Sequence, residues 1–82
     1  MRQILTHSAQ LGQILASRRR ASRLSQGTLA KKLVISQNRL SEIEANPGSL
    51  TVERLLGMAN ILGLELVIQD QPAANRPPKT EW

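Results

Sequence analysis

At 82 residues with a formal net charge of +5, the chain is one small domain near the lower limit for a self-sufficient core. It has no cysteine, no Phe or Tyr and one Trp, which excludes a disulfide frame and thiolate–metal sites and leaves an aliphatic interior suited to helix-on-helix packing. Residues 1–41 hold Arg2, Arg18, Arg19, Arg20, Arg23, Lys31, Lys32 and Arg39 with no acid, whereas 42–82 hold three basic residues against six acidic ones, the polarity of a polyanion binder.

Residues 1–7 form an N-terminal arm, in which "MRQILT" could make a short strand. A first helix is expected from about Ser8 to Ser22, capped by Thr6 or Ser8. Leu11, Ile14, Leu15 and the stem of Arg18 form its inward side. His7, the only histidine, reads as a surface or cap residue. Ser25 then caps a second helix with Leu29, Ala30 and Leu33 inward, "VIS" makes a turn, and Ser36 caps a third with Leu40 and Ile43 inward. Both short helices therefore open on Ser-Gln. "NPGSL" breaks the chain at Pro47 and Gly48. Thr51 caps a fourth helix with Leu55, Leu56, Met58, Ala59 and Leu62 inward, and Gly63 stops it.

Beyond Gly63 the period changes from helical to alternating. Leu64, Leu66 and Ile68 alternate with Glu65, Val67 and Gln69, the pattern of a strand over 64–70. A lone strand in a helical domain leaves its backbone donors and acceptors without partners. The simplest remedy is the same strand of a second copy, so Leu64, Leu66, Val67 and Ile68 are assigned to a homodimer interface. Residues 71–82, rich in proline and ending in Trp82, read as a disordered tail. No run reaches membrane-spanning length and the first twenty residues lack a signal-peptide core, so the chain reads as cytoplasmic and nucleoid-associated, without a membrane partner.

A short helix, a tight turn and a second short helix, spanning 8–63 with their flanking helices, fit a helix-turn-helix whose second helix enters the DNA major groove. With Leu40 and Ile43 inward, Gln37, Asn38 and Ser41 fall outward, and the two amides can each bond an adenine edge bidentately. Arg39 reaches guanine or phosphate. Gln26 sits at a helix N-terminus, where free N–H groups and the dipole favour phosphate, and it can brace Gln37 through paired amides. Thr28, Lys32, Ser36 and Asn46 are further phosphate contacts, which fix register without reading sequence. With one His and no Cys, no nucleophile–base–orienter set can be assembled, so no catalytic residue, metal or cofactor is assigned. Single-strand and RNA binding want aromatic platforms that are lacking here.

"LSQGTLAKKLVISQNRLSEIEANPGSLTVERLLGMANILGLELVIQD" resembles the phage-repressor (Cro/C1, XRE-type) helix-turn-helix family. Its second half, with the terminal Glu81-Trp82, is similar to the HipB-type antitoxins. The resemblance implies an all-α bundle of four or five helices that dimerises through C-terminal strands and binds double-stranded operator DNA in its own promoter. It also implies a HipA-like Ser/Thr kinase toxin as partner, with or without a further small protein. It puts base reading on Ser36, Gln37, Asn38 and Ser41, phosphate binding on Gln26, and a structural ion pair on Arg19 and Glu44. The family usually has Gly where this chain has Arg23 and Val34, so the turn at Val34 is expected to be strained or to take another path. A stand-alone repressor without a toxin and a toxin-binding adaptor that ignores DNA are the alternatives.

Overall fold

Three of the helices in the computed structural model begin on a hydroxyl. The structure describes residues 2–72; the expected tail and Trp82 lie almost wholly outside the described residues. Within them the order is α1 (Ser8–Ala21), α2 (Gln26–Leu33), α3 (Gln37–Ala45), a 3-10 turn (Pro47–Ser49) and α4 (Val52–Leu62). Ser25 Oγ accepts from the Thr28 N–H at 3.1 Å, Ser36 Oγ from Arg39 at 3.0 Å, and Thr51 Oγ1 from Arg54 at 3.1 Å. Each such cap is worth about 1 kcal/mol.

α1 departs from the expected capping. Its N-cap is His7, between the two hydroxyl residues assigned to that role, and Ser8 is already helical. Gln10 folds back instead, its Oε1 accepting from the N–H groups of Thr6 at 2.7 Å and His7 at 3.2 Å. A side chain at N3 that reaches back to the cap backbone satisfies donors a hydroxyl at Ser8 cannot reach.

Three of the four α-helices among the described residues, α1, α2 and α4, end on one device. The N–H of Leu24 bonds the Arg19 carbonyl at 3.1 Å, that of Ile35 bonds Ala30 at 3.0 Å, and that of Leu64 bonds Ala59 at 2.8 Å. These six-to-one bonds define Schellman caps, which need a left-handed residue just before the donor. Those residues are Arg23 (φ 58°), Val34 (φ 57°) and Gly63 (φ 70°). Leu24, Ile35 and Leu64 then turn inward against the core. Burial of the following apolar residue thus holds the backbone left-handed at all three positions, although only one of the three residues is glycine.

Val34 is therefore strained, a β-branched residue in a region it disfavours. The residue is 89% exposed, so its side chain buries little that glycine would forfeit. Relief of about 1–3 kcal/mol of strain, set against roughly 0.5–1 kcal/mol of extra unfolded-state entropy, leaves Val34→Gly stabilising by about 1 kcal/mol. Thermal denaturation should show Tm rising by roughly 4–8 °C for each kcal/mol in a domain of this size.

The core is aliphatic. Leu15, Leu29, Leu40, Ile43, Met58 and Leu62 are essentially inaccessible, with Ala30 and Leu33 beside them. Leu55 packs against this cluster from its edge, but Leu56, assigned inward by periodicity, is 46% exposed. The α4 stripe is narrower than its apolar run, because Met58, Ala59 and Leu62 already occupy the facing side. The stem of Arg18 does not line the core either. Its Nε reaches the Leu62 carbonyl at 2.8 Å, and Arg54 Nη1 reaches the Leu33 carbonyl at 2.7 Å. Two guanidinium groups thereby close the carbonyl ends of α4 and α2, where the helix dipole favours a cation. α1 and the end of α3 approach closely at Gly12: a Cβ there would collide with the Glu44 carbonyl oxygen and stand 3.2 Å from the Pro47 ring.

Four α-helices and no strand are assigned among the described residues. The segment 64–70 lacks a ladder because the single chain offers it no paired edge. It faces the N-terminal arm across an open groove lined by Ile4, Leu5, Ile14, Leu66 and Ile68, where Arg2 Nη2 donates to Gln69 Oε1 at 2.6 Å. Among the described residues no helix is long and apolar enough to cross a membrane.

Candidate nucleic-acid interface

α2 ends at Leu33, three residues turn the chain, and α3 begins at Gln37. Leu29, Ala30 and Leu33 of α2 and Leu40 and Ile43 of α3 enter one core. That common burial fixes the angle of the two helices and decides which face of α3 looks out. Gln37, Asn38, Ser41 and Glu42 are exposed, and Arg39 is half-buried at the flank.

Behind α3 lies a buried polar knot. Arg19 Nε donates to Glu44 Oε2 at 2.8 Å and Nη2 to Oε1 at 3.2 Å, a bidentate pair whose side chains are 10% and 9% exposed. Arg19 Nη1 also holds the Leu24 carbonyl at 2.9 Å. Gln26 Nε2 donates to Glu44 Oε1 at 3.1 Å. α1, α2 and α3 therefore meet on the Glu44 carboxylate and the turn before α2 is tied in through Arg19, and among the described residues no buried side-chain polar atom lacks a partner.

This knot corrects one expectation. Gln26 does not brace Gln37 amide to amide: its Nε2 is engaged by Glu44, a stronger, charged acceptor. One amide hydrogen remains for a phosphate oxygen. The Gln37 amide instead lies over Gly27, its Oε1 3.5 Å from where a Cβ would stand. The absence of a side chain at 27 gives that amide room at the start of α2.

The other assigned polar residues sit around this face in different states. Thr28 and Lys32 are exposed on α2, with Thr28 Oγ1 accepting from Ser25 Oγ at 2.9 Å. Ser36 is exposed and caps α3, while Asn46 is exposed where α3 gives way to the 3-10 turn. Arg39 Nη1 donates to Glu42 Oε2 and to Ser49 Oγ, both at 3.3 Å. Sequence reasoning passed over Glu42 and Ser49. The i,i+3 spacing of Arg39 and Glu42 was the available signal for the first; nothing local announces the second, which the 3-10 turn brings back to α3.

A family model described as helix-turn-helix matches residues 15–69. No curated protein matches the chain. Among solved structures, a chain of the HipA–HipB–O2–O3 complex is 27% identical with a TM-score of 0.76, the match covering 87% of this chain and all of that one. A chain of a HipB–O1–O2 complex is 28% identical with a TM-score of 0.74, over 84% of this chain and all of that one.

Proposed function

The chain belongs to the helix-turn-helix family, and on that footing we propose that it is a sequence-specific DNA-binding transcription regulator of the HipB type. The observation that carries this reading is the orientation of α3, whose rear is anchored by Leu40, Ile43 and Glu44 while Gln37, Asn38 and Ser41 stand free at its N-terminal end. That end meets base edges in the major groove. Gln37 and Asn38 each offer the acceptor–donor pair that adenine requires, and Ser41 serves either kind of base. Arg39 supplies a cation at the flank, for guanine or for the adjacent phosphate. Gln26, Thr28, Lys32, Ser36 and Asn46 hold the backbone and set the register.

The regulator acts as a homodimer. Ile4, Val67 and Ile68 are 71%, 73% and 101% exposed, beside Leu66 and the open groove. A second copy supplying its own 64–70 segment pairs the strand and covers these side chains. Two recognition helices about 34–36 Å apart then read a palindromic site, and occupancy of that site in its own promoter represses the operon. One matched chain belongs to a HipA–HipB–O2–O3 complex; by that likeness this cytoplasmic chain holds a HipA-like Ser/Thr kinase toxin.

Fluorescence anisotropy on the promoter duplex upstream of its own reading frame tests both parts. The wild type should lose about 10³–10⁵ in affinity between 50 and 200 mM salt for six to ten phosphate contacts. Ile68→Asp should elute as a monomer and lose the tight binding, while a flat log–log salt plot or a monomeric wild type with full affinity would overturn the proposal. Pull-down with the product of the reading frame beside it separates the two remaining readings: capture of a HipA-like kinase makes this chain an antitoxin, and no capture makes it a stand-alone repressor.

A further inference from the structure

Glu42 is an oddity on a basic interface. The chain carries no acid before it, and the other acid of α3, Glu44, is consumed in the buried knot. Glu42 is not buried: its side chain is 69% exposed, and its one partner among the described residues, Arg39, leaves the second carboxylate oxygen open. It follows Asn38 by four residues, so the two stand one turn apart on the same outward face of α3.

A carboxylate there has two physical fates when a duplex arrives. Facing phosphates, it repels them and weakens every complex alike. Facing base edges, it accepts a hydrogen bond, and in the major groove the exocyclic N4 amino group of cytosine is the donor it suits. Asn38 marks the direction of the base edges, and Glu42 shares that direction. Arg39 adds the second condition. Its Nη1 lies 3.3 Å from Glu42 Oε2 and 3.3 Å from Ser49 Oγ, so the carboxylate keeps a cation beside it and the cation is itself steadied from the 3-10 turn. A simple surface ion pair contributes little to stability, which leaves the arrangement without a structural task.

We infer that Glu42, held by Arg39, is a specificity-determining residue that accepts from the N4 amino group of a cytosine in each half-site. The inference rests on the DNA-binding reading above and extends it to a position that reads C·G where Gln37 and Asn38 read A·T.

Enrichment of wild type, Glu42→Gln and Glu42→Ala on a library of randomised duplexes tests it. Both variants change an exposed side chain and keep the fold. The wild type should enrich a palindrome with a fixed cytosine beside the positions set by Asn38. Glu42→Ala should relax that one position by roughly 5- to 100-fold, and Glu42→Gln should move its preference toward adenine, with all other positions unchanged. An unchanged motif in both variants overturns the inference, whether affinity rises uniformly, as for a carboxylate that merely repels phosphate, or does not move. A wild type that enriches no motif sinks the DNA-binding reading itself, a distinct result.

Discussion

Replacing Gln37 and Asn38 together by alanine should lower affinity for each half-site of the cognate duplex by about 2–6 kcal/mol, the sum of two bidentate contacts at about 1–3 kcal/mol each. That is a loss of roughly 30- to 10⁴-fold at 1.4 kcal/mol per decade. Both side chains are exposed and hold no hydrogen-bonded place in the fold, so Tm should stay within a degree or two. Binding to a scrambled duplex should change little, because phosphate contacts carry the non-specific part. The discriminating measurement is therefore the ratio of cognate to scrambled affinity, followed by anisotropy at one fixed salt concentration. A double variant that keeps that ratio would show that the amides do not read sequence. One that loses binding to both duplexes equally would point to a phosphate role.

What could be read from the chain and what could not divides along the range of the forces involved. Ser25, Ser36 and Thr51 cap their helices through bonds three residues long, and Leu29, Leu33, Leu40 and Ile43 bury at helical spacing; such features are visible in a line of text. Gly63 announces its own left-handed φ. Arg23 and Val34 do not, because the tertiary burial of Leu24 and Ile35 imposes theirs; family likeness, not local chemistry, flagged both places. The brace from Gln26 to Gln37 was the instructive miss. An amide has several partners in reach, and only the fold decides that the Glu44 carboxylate is nearer than Gln37. The alternation over 64–70 is plain in the sequence, yet a strand is a property of pairs, and a single chain leaves it unpaired.

The Glu44 knot should give the largest loss of stability. Glu44→Ala strands the Arg19 guanidinium behind α3, where its side chain is 10% exposed, and removes the partner of Gln26. Breaking a buried pair from one side costs about 3–5 kcal/mol, against a total stability of about 5–15 kcal/mol for ordinary domains. Urea unfolding should show the midpoint falling sharply at constant slope. Glu44→Gln keeps one acceptor oxygen where Arg19 Nη2 and Gln26 Nε2 donate, but removes the charge and turns an NH2 toward the Arg19 Nε–H, so its loss should be at least about 1.5–3 kcal/mol, the worth of hydrogen bonds to a charged group. The double variant Arg19→Met, Glu44→Leu fills the space with apolar atoms and should recover most of the stability, since a buried pair gains little over a well-packed hydrophobic replacement. Its DNA binding should not recover in step, because Gln26 still lacks the carboxylate that aims its amide. A Glu44→Ala protein that unfolds within about 0.5 kcal/mol of wild type would place the pair among ordinary surface bridges and leave α3 anchored by Leu40 and Ile43 alone.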